Sequence, residues 1–464
     1  CNRNLVDEPI SIAALKRFVA DQIYSQPYVA PPPTPRKYDE RVAVIGAGPC
    51  GLTAAKELAL AGYGVTVFEA LPVAGGMLRV GIPEYRLPTW IINREIQEII
   101  DLGVELRLNT PVENLDDLFA QGFSAALIAV GAHEGKKLPI PGADHPDVLV
   151  STRFLRDVRL AELGTSNFKS QTSKDAPQES SLKFDVGSLK FDVGSLIFDK
   201  HVLVLGGGNV AMDCARTALR LGAKQVDMAC LESRDTMPAH ADEIAEAEEE
   251  GIVIYPARSF TRIINADGRI SGVEAVNVSF MRFELDGSLT LETVPDSEHV
   301  LACDTVIFAI GQRAGLAFIP EDAGVGITRQ RTVAVNPNTF STSRPGVFAA
   351  GDATTGTSFV IEAVAAGHKA AANIQKYLRG ESLESREHVD LPVVKMTPTA
   401  VSARIRRGEI ELKPRVRMAA LDGATRGRSF EEVNLGFTEE EARAEATRCL
   451  QCGVCSECLS CYYK

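Results

Sequence analysis

The feature that most restricts this chain is a glycine triplet set between an apolar strand and a helix, in RVAVIGAGPCGLTAAKELALAGYGVTVFEA. The pattern predicts a strand over Val42 to Ile45, a turn through Gly46, Gly48 and Gly51, an alanine-rich helix, and a second strand ending at Glu69. Each glycine has a physical duty in a dinucleotide-binding unit. Gly46 permits the tight turn, Gly48 lets the backbone approach a pyrophosphate, and Gly51 lets helix and strand pack closely. The helix N-terminus then faces the phosphates with its partial positive charge. Glu69, 18 positions after Gly51, is placed to accept hydrogen bonds from a ribose. The alternative is a glycine-rich turn with no ligand.

A second copy follows in HVLVLGGGNVAMDCARTALRLGAKQVDMACLE. Val202 to Leu205 reads as the strand, Gly206 and Gly208 as the turn, and Asn209 as the start of the helix. Ala211 stands at the third glycine position, which tolerates alanine. Glu232 falls 24 residues after Gly208, at the end of the next strand. Two bound dinucleotides are therefore expected. Further on, CDTVIFAIGQ leads a strand into Gly311, and PGVFAAGDATTGTSFVIEAVAAGHKAA gives a strand over Val347 to Ala350, a Gly351-Asp352 turn and a long helix of small residues. These two strands read as closing elements of two nucleotide-binding domains, so the first domain is split and the second lies inside it.

The expected fold is α/β, with two Rossmann-like domains and a cysteine-rich terminal segment. At 464 residues the chain exceeds the roughly 250 to 300 that one core supports, which agrees with several domains. The first domain is expected over 39–155 and 316–380 and the second over 200–315. A helical segment occupies 1–38, an insertion or linker 156–199, a linker and helix 381–448, and the cysteine-rich segment 449–464. Within the insertion SLKFDVG occurs twice in succession, at 181–187 and 188–194. That period is shorter than the roughly 20 residues of a solenoid unit, and the piece is expected as a strand or hairpin behind a polar surface stretch.

The net charge of -12 opposes nucleic-acid and anionic-membrane partners. The basic run VSARIRRGEIELKPRVRMA, with Arg404, Arg406, Arg407, Lys413, Arg415 and Arg417, is the local exception and reads as a solvated or interdomain stretch. No window offers the 18 or more apolar residues of a membrane span, and no leader opens the chain, so a cytoplasmic location is expected. A first residue of Cys1 rather than Met implies a processed or partial chain.

Of ten cysteines, Cys1, Cys50, Cys214, Cys230 and Cys303 stand singly, which is too sparse for a disulfide scaffold and implies a reducing compartment. The other five, Cys449, Cys452, Cys455, Cys458 and Cys461, recur at every third position. A helix with Thr438 as N-cap and Glu441 in capping-box register leads into them. Thiolates so spaced converge on a 4Fe-4S cluster, as in the ferredoxin C-x2-C-x2-C-x3-C motif. The run departs from that motif in its fourth gap, and zinc is the rival ligand.

Together VAVIGAGPCGL, GGMLRVGIPEYRLP, LIAVGA, LGGGNVAMDCARTALRLGA, MPAH, DTVIFAIGQ and VFAAGDATTGTSFVIEAVAAGHKAA resemble the small subunit of NAD(P)H-dependent glutamate synthase and its relatives. The resemblance implies FAD on the first fingerprint and a nicotinamide dinucleotide on the second. It puts Gly76, Leu78, Gly81 and Arg86 beside the flavin, with Gly131, Gly351 and Asp352 completing that site. It also makes Cys1 the last ligand of an N-terminal iron-sulfur cluster; a lone exposed cysteine is the other reading. NADPH-using relatives carry paired arginines where this chain has Leu231 and Glu232. A carboxylate accepts from a 2′-hydroxyl and repels a 2′-phosphate, so NAD(H) is favoured, with Arg234 as the nearby cation that can reverse this.

Hydride transfer between nicotinamide and flavin needs positioning more than a side-chain acid or base, and no catalytic constellation stands out. The seven histidines form no metal cluster, and His240 and His368 read as surface or loop residues. The expected protein moves electrons between NAD(H), FAD and iron-sulfur clusters, with a partner subunit as the other terminus. A glutamate synthase small subunit proper, a flavin disulfide reductase and a non-catalytic assembly subunit are the alternatives.

Overall fold

The computed structural model describes residues 1–164, 197–283, 289–383 and 396–450; the duplicated SLKFDVG piece and the cysteines from Cys452 to Cys461 lie outside them. The chain divides into a unit of Pro32–Leu383 with Asp422–Glu431 and a unit of Cys1–Pro31, Glu384–Leu421 and Glu432–Lys464.

In the larger unit β1 (Arg41–Ile45), β2 (Gly64–Phe68), β3 (Glu105–Arg107) and β4 (Ala125–Ile128) form a parallel sheet, with β1 between β2 and β4. Val42, Val44, Ala126 and Leu127 are wholly buried. Both faces of a parallel sheet are covered, so its strands read as unbroken apolar runs. The helix α1 (Pro49–Ala61) connects β1 to β2.

The chain leaves this sheet through β5 (Glu134–Gly135) and builds a second parallel sheet from β6 (Val148–Val150), β7 (His201–Leu205), β8 (Gln225–Ala229) and β9 (Val253–Tyr255). An antiparallel sheet of β10 (Arg258–Ala266), β11 (Arg269–Phe283), β12 (Leu289–Thr293) and β13 (His299–Leu301) follows. Then β14 (Thr305–Phe308) inserts between β6 and β7. The chain returns through β15 (Gln312–Arg313), paired antiparallel with β5, and β16 (Val347–Ala349) joins the first sheet beside β4. One Rossmann-like fold is thus inserted within another. Because β6 pairs with β14, the crossing lies at the β5·β15 ribbon, ahead of the expected boundary near residue 155.

The second sheet is covered by α2 (Ser151–Gly164), α3 (Asn209–Arg220) and α4 (Ala241–Glu249), whose Leu155, Met212 and Ala247 share one core with Val204 and Met228. The long small-residue helix expected after Asp352 is α5 (Val360–Leu378), which packs Ala370 and Ile374 into the core of the first sheet. In both sheets the strand order reverses beside one central strand, β1 or β7, which opens a crevice at the strands' C-terminal ends.

The smaller unit has a core of Ala14, Phe437 and Ala442. Its last helix, Glu439–Thr447, has the expected capping box: Thr438 Oγ1 accepts from the Glu441 amide at 3.2 Å, and Glu441 Oε2 accepts from the Thr438 amide at 2.8 Å. A buried ionic knot ties the unit's three chain segments. Arg448 Nη1 donates to Glu445 Oε1 at 2.7 Å and its Nη2 to Asp7 Oδ1 at 2.9 Å, while Arg3 Nη1 donates to the Arg448 carbonyl at 3.0 Å. Glu445 also accepts from the amides of Ser11 and Val416, so every buried charge here has a partner. Four cations of the basic run form ion pairs inside the same unit: Arg404 and Arg407 with Glu409, Lys413 with Glu411, and Arg417 with Glu8. Among the described residues no helix is long and apolar enough to cross a membrane.

Candidate functional site

The first glycine loop leaves β1 at the sheet's crevice and opens α1. Gly46 has a φ of +105°, and a Cβ there would lie 2.5 Å from the Ala129 carbonyl oxygen. Only glycine fits a turn that sharp beside another backbone. A Cβ on Gly51 would lie 2.1 Å from the Gly46 carbonyl oxygen, so the first turn of α1 rests on the loop itself. Gly48 is the N-cap of α1, and a Cβ there would meet only the Cα of Gly76, at 3.8 Å, which leaves this stretch of backbone open to a ligand.

Glu69 ends β2 with both carboxylate oxygens engaged. Oε2 accepts from the Ala47 amide at 2.8 Å and Oε1 from the Leu71 amide at 2.9 Å. Burial pushes this carboxyl up and the two amides hold it down, with burial prevailing. Asp352 follows β16 and accepts from Ser358 Oγ at 2.8 Å; burial raises its carboxyl as well. Gly351 abuts Cys50 of α1, and Gly76 abuts Gly48. The fold therefore gathers Gly46, Gly48, Gly51, Glu69, Gly76, Gly351 and Asp352 around one crevice. Gly131, after β4, faces the ring of His133, while Leu78 packs toward the first core and Gly81 against Met77.

The second loop repeats the geometry on β7. A Cβ on Gly206 would lie 2.3 Å from the Ala309 carbonyl oxygen, Gly208 is the N-cap of α3, and Ala211 is fully buried. The Asn209 side chain accepts from the His240 amide at 2.9 Å, which pins the start of α4 to the start of α3. Glu232 brings its carboxylate to the glycine loop, with Oε2 3.0 Å from where a Gly207 Cβ would stand. Arg234, the cation that can favour a 2′-phosphate, instead donates to Glu248 Oε2 at 2.6 Å. Gly311 lies just before β15, with Lys136 beside it.

Arg86 is expected beside the flavin from sequence; its guanidinium reaches the second fold. Nη1 donates to both oxygens of Asp213 on α3, at 2.8 and 2.9 Å, and Nη2 donates to Glu243 on α4. Burial works against this charge, and the two carboxylates outweigh it and hold the guanidinium protonated more firmly than usual. Tyr85, fully buried, lies under Arg220 at 3.9 Å. Sequence reasoning missed Asp213, Glu243 and Tyr85. The available signal was Asp213 and Arg216 in a helix otherwise lined by Ala211, Met212, Cys214 and Ala215, since charges inside an apolar helix must find partners. His240 stacks on Phe359, with ring centroids 6.0 Å apart, and His368 pairs with Glu57.

Cys50, Cys214, Cys230 and Cys303 are buried free thiols, and burial pushes Cys50, Cys230 and Cys303 up to about 12. Thiols raised in this way carry little thiolate and are poor nucleophiles. Cys1 and Cys449 are exposed free thiols. Among the described residues no group of three metal-ligating side chains forms a site.

Comparison with known proteins adds to this geometry. The pyridine nucleotide-disulphide oxidoreductase family matches residues 40–367. The chain is 37% identical, over 97% of its length, to the NADP(+)-dependent formate dehydrogenase subunit beta of Moorella thermoacetica, and spans 63% of that protein. It is 35% identical to the NAD-dependent dihydropyrimidine dehydrogenase subunit PreT of Escherichia coli, over 82% of this chain and 78% of that one. It is 32% identical to the glutamate synthase [NADPH] small chain of Azospirillum brasilense, over 82% of this chain and 77% of that one.

Proposed function

The chain belongs to the pyridine nucleotide-disulphide oxidoreductase family, among the relatives of the glutamate synthase small chain, and from that premise we propose that it is the electron-input subunit of a multisubunit redox complex. In this reading NADH binds the second glycine loop, FAD the first, and iron-sulfur clusters carry electrons to a partner subunit. The observation that carries it is the pair of glycine loops, each at a sheet crevice, each opening a helix and each with a carboxylate at the end of the adjoining strand.

Bound FAD would accept a hydride from the nicotinamide and release the electrons singly, which converts between a two-electron carrier and one-electron clusters. The protein's own part is to bind and orient. The N-termini of α1 and α3 offer their first-turn amides to the pyrophosphates. Glu69 and Glu232 would offer acceptors to the two riboses, and Asp352 would meet the polar chain of the flavin. No proton has to move at a side chain for the hydride to pass.

Glu232 supports NAD(H) over NADP(H). A carboxylate at the loop repels a 2′-phosphate, and Arg234 is already held by Glu248. The cysteine run supports the clusters through its spacing, with Cys449 the one member of that run among the described residues. Anaerobic addition of NADH tests the reading: flavin absorbance at about 450 nm should fall with one equivalent of nicotinamide. A flavin that stays oxidised with NADH and NADPH alike, yet bleaches with dithionite, refutes it.

A further inference from the structure

The chain crosses between the two nucleotide folds twice, and the crossings pair as a ribbon of two residues each, Glu134–Gly135 with Gln312–Arg313. A two-stranded ribbon is at best marginally stable by itself. The orientation of one fold against the other must then come from side chains that bridge them. The strip Arg79–Thr89, which follows Gly76 where that residue abuts Gly48 of the first glycine loop, is where they gather. Arg159 of α2 donates to the Arg79 carbonyl at 3.1 Å and to Glu84 Oε2 at 2.6 Å. Arg86 binds Asp213 and Glu243.

We propose that Arg86 is a positioning residue for hydride transfer: by bridging Asp213 and Glu243 it sets the distance at which the second fold presents its nicotinamide to the first. The inference rests on the functional reading above. Of the bridges, this one acts nearest the chemistry on both sides. Asp213 lies four residues past Asn209, about 6 Å along the helix that opens at the second glycine loop. Glu243 lies three residues past His240, whose amide is held by Asn209. Two elements that frame the nicotinamide nucleotide are thus gripped by one guanidinium from the strip that follows Gly76, beside the first glycine loop.

The side chains of Asp213 and Glu243 are 7% and 14% exposed. Without Arg86 these two carboxylates face one another, with Arg216, 3.6 Å from Glu243, and Arg220, which acts on Asp213, as the cations left beside them. Like charges left together in a buried site push apart. The consequence is a loosened second fold rather than a lost cofactor site, because neither glycine loop is touched. Hydride transfer needs reacting atoms about 3 to 3.5 Å apart, and a misplacement of about 1 Å costs roughly a hundredfold.

The test compares the full chain, loaded with FAD, with Arg86→Lys, Arg86→Gln and Asp213→Asn under single-turnover reduction by NADH. The expected result for Arg86→Gln is a limiting flavin-reduction rate at least about tenfold lower per bound flavin, with the NADH dissociation constant and the flavin midpoint potential unchanged. Asp213→Asn should lose rate to a similar extent, the double variant should lose little more than either alone, and Arg86→Lys should recover part of the rate. In the FAD-free chain, hydrogen exchange at the Lys136 amide, which donates to the Gly311 carbonyl at the ribbon, should quicken in Arg86→Gln and Asp213→Asn. A shifted midpoint potential in Arg86→Gln with a wild-type rate in Asp213→Asn means that Arg86 touches the flavin directly and overturns the proposal. Wild-type rates in both variants overturn it too, while a wild-type flavin that no nicotinamide reduces refutes the functional reading itself.

Discussion

The carboxylate of Glu69 accepts a hydrogen bond from the amide of Ala47 at 2.8 Å, which fastens the end of β2 to the glycine loop leaving β1. One residue thereby shapes the loop and offers an acceptor to a ribose. Glu69→Ala leaves a buried amide unsatisfied and removes a charged acceptor, a loss of about 1.5–3 kcal/mol. FAD affinity should fall roughly 10- to 150-fold, measured by titrating FAD-free protein and following flavin fluorescence. Unchanged affinity would show that Glu69 serves the loop alone.

Gly51→Ala is a sharper probe of the same loop. The added methyl would sit 2.1 Å from the Gly46 carbonyl oxygen, and a backbone atom cannot swing aside. The helix must lift, at a cost of about 1–3 kcal/mol, and FAD binding should weaken along with thermal stability. The second fold accommodates Ala211 at its third position with no exposure, so Ala211→Gly should leave nicotinamide binding close to wild type. Equal effects of the two substitutions on their own nucleotides would contradict this difference.

Nicotinamide choice is tested by Leu231→Arg with Glu232→Ser. Removing the carboxylate beside Gly207 and adding a cation should raise the NADPH to NADH ratio of kcat/KM at least about tenfold, the scale of one charge-assisted contact. An unchanged ratio in steady-state kinetics would show that Glu232 does not meet the ribose.

The smaller unit should respond to acid through Asp7. The Arg3 guanidinium, with help from the Lys413 amide and Arg448, holds this carboxyl at about 2. An unfolded aspartate titrates at about 3.9. The folded value is the lower one, so the stabilisation is complete above about pH 4 and is lost as pH falls through that value towards about 2. Asp7→Asn should flatten this part of the stability profile, read by denaturant unfolding between those limits. A profile identical to wild type would show that Asp7 is not the titrating group.

Both glycine fingerprints were legible in sequence because their geometry leaves so little choice. A turn at φ +105° and a helix resting on a carbonyl demand glycine whatever the surroundings, so residue type reports structure directly. The split of the first fold was legible for a related reason, since VFAAGD repeats the strand-to-glycine pattern and β16 does return to β4. Arg86 was legible only as a member of its segment. Where its guanidinium goes depends on Asp213 and Glu243, over 120 residues away, and pairing at that separation leaves no local pattern. The knot of Arg3, Asp7, Glu445 and Arg448 was hidden likewise, because each charge in isolation reads as a solvated surface group.

The central claim is that one chain brings a reduced nicotinamide against a flavin, and NADH deuterated at C4 measures that step alone. The account predicts that the purified FAD-loaded chain, with no partner present, is bleached in a single turnover and that the deuterated donor bleaches it more slowly. Bleaching at the same rate with both donors, or only after another protein is added, would contradict it.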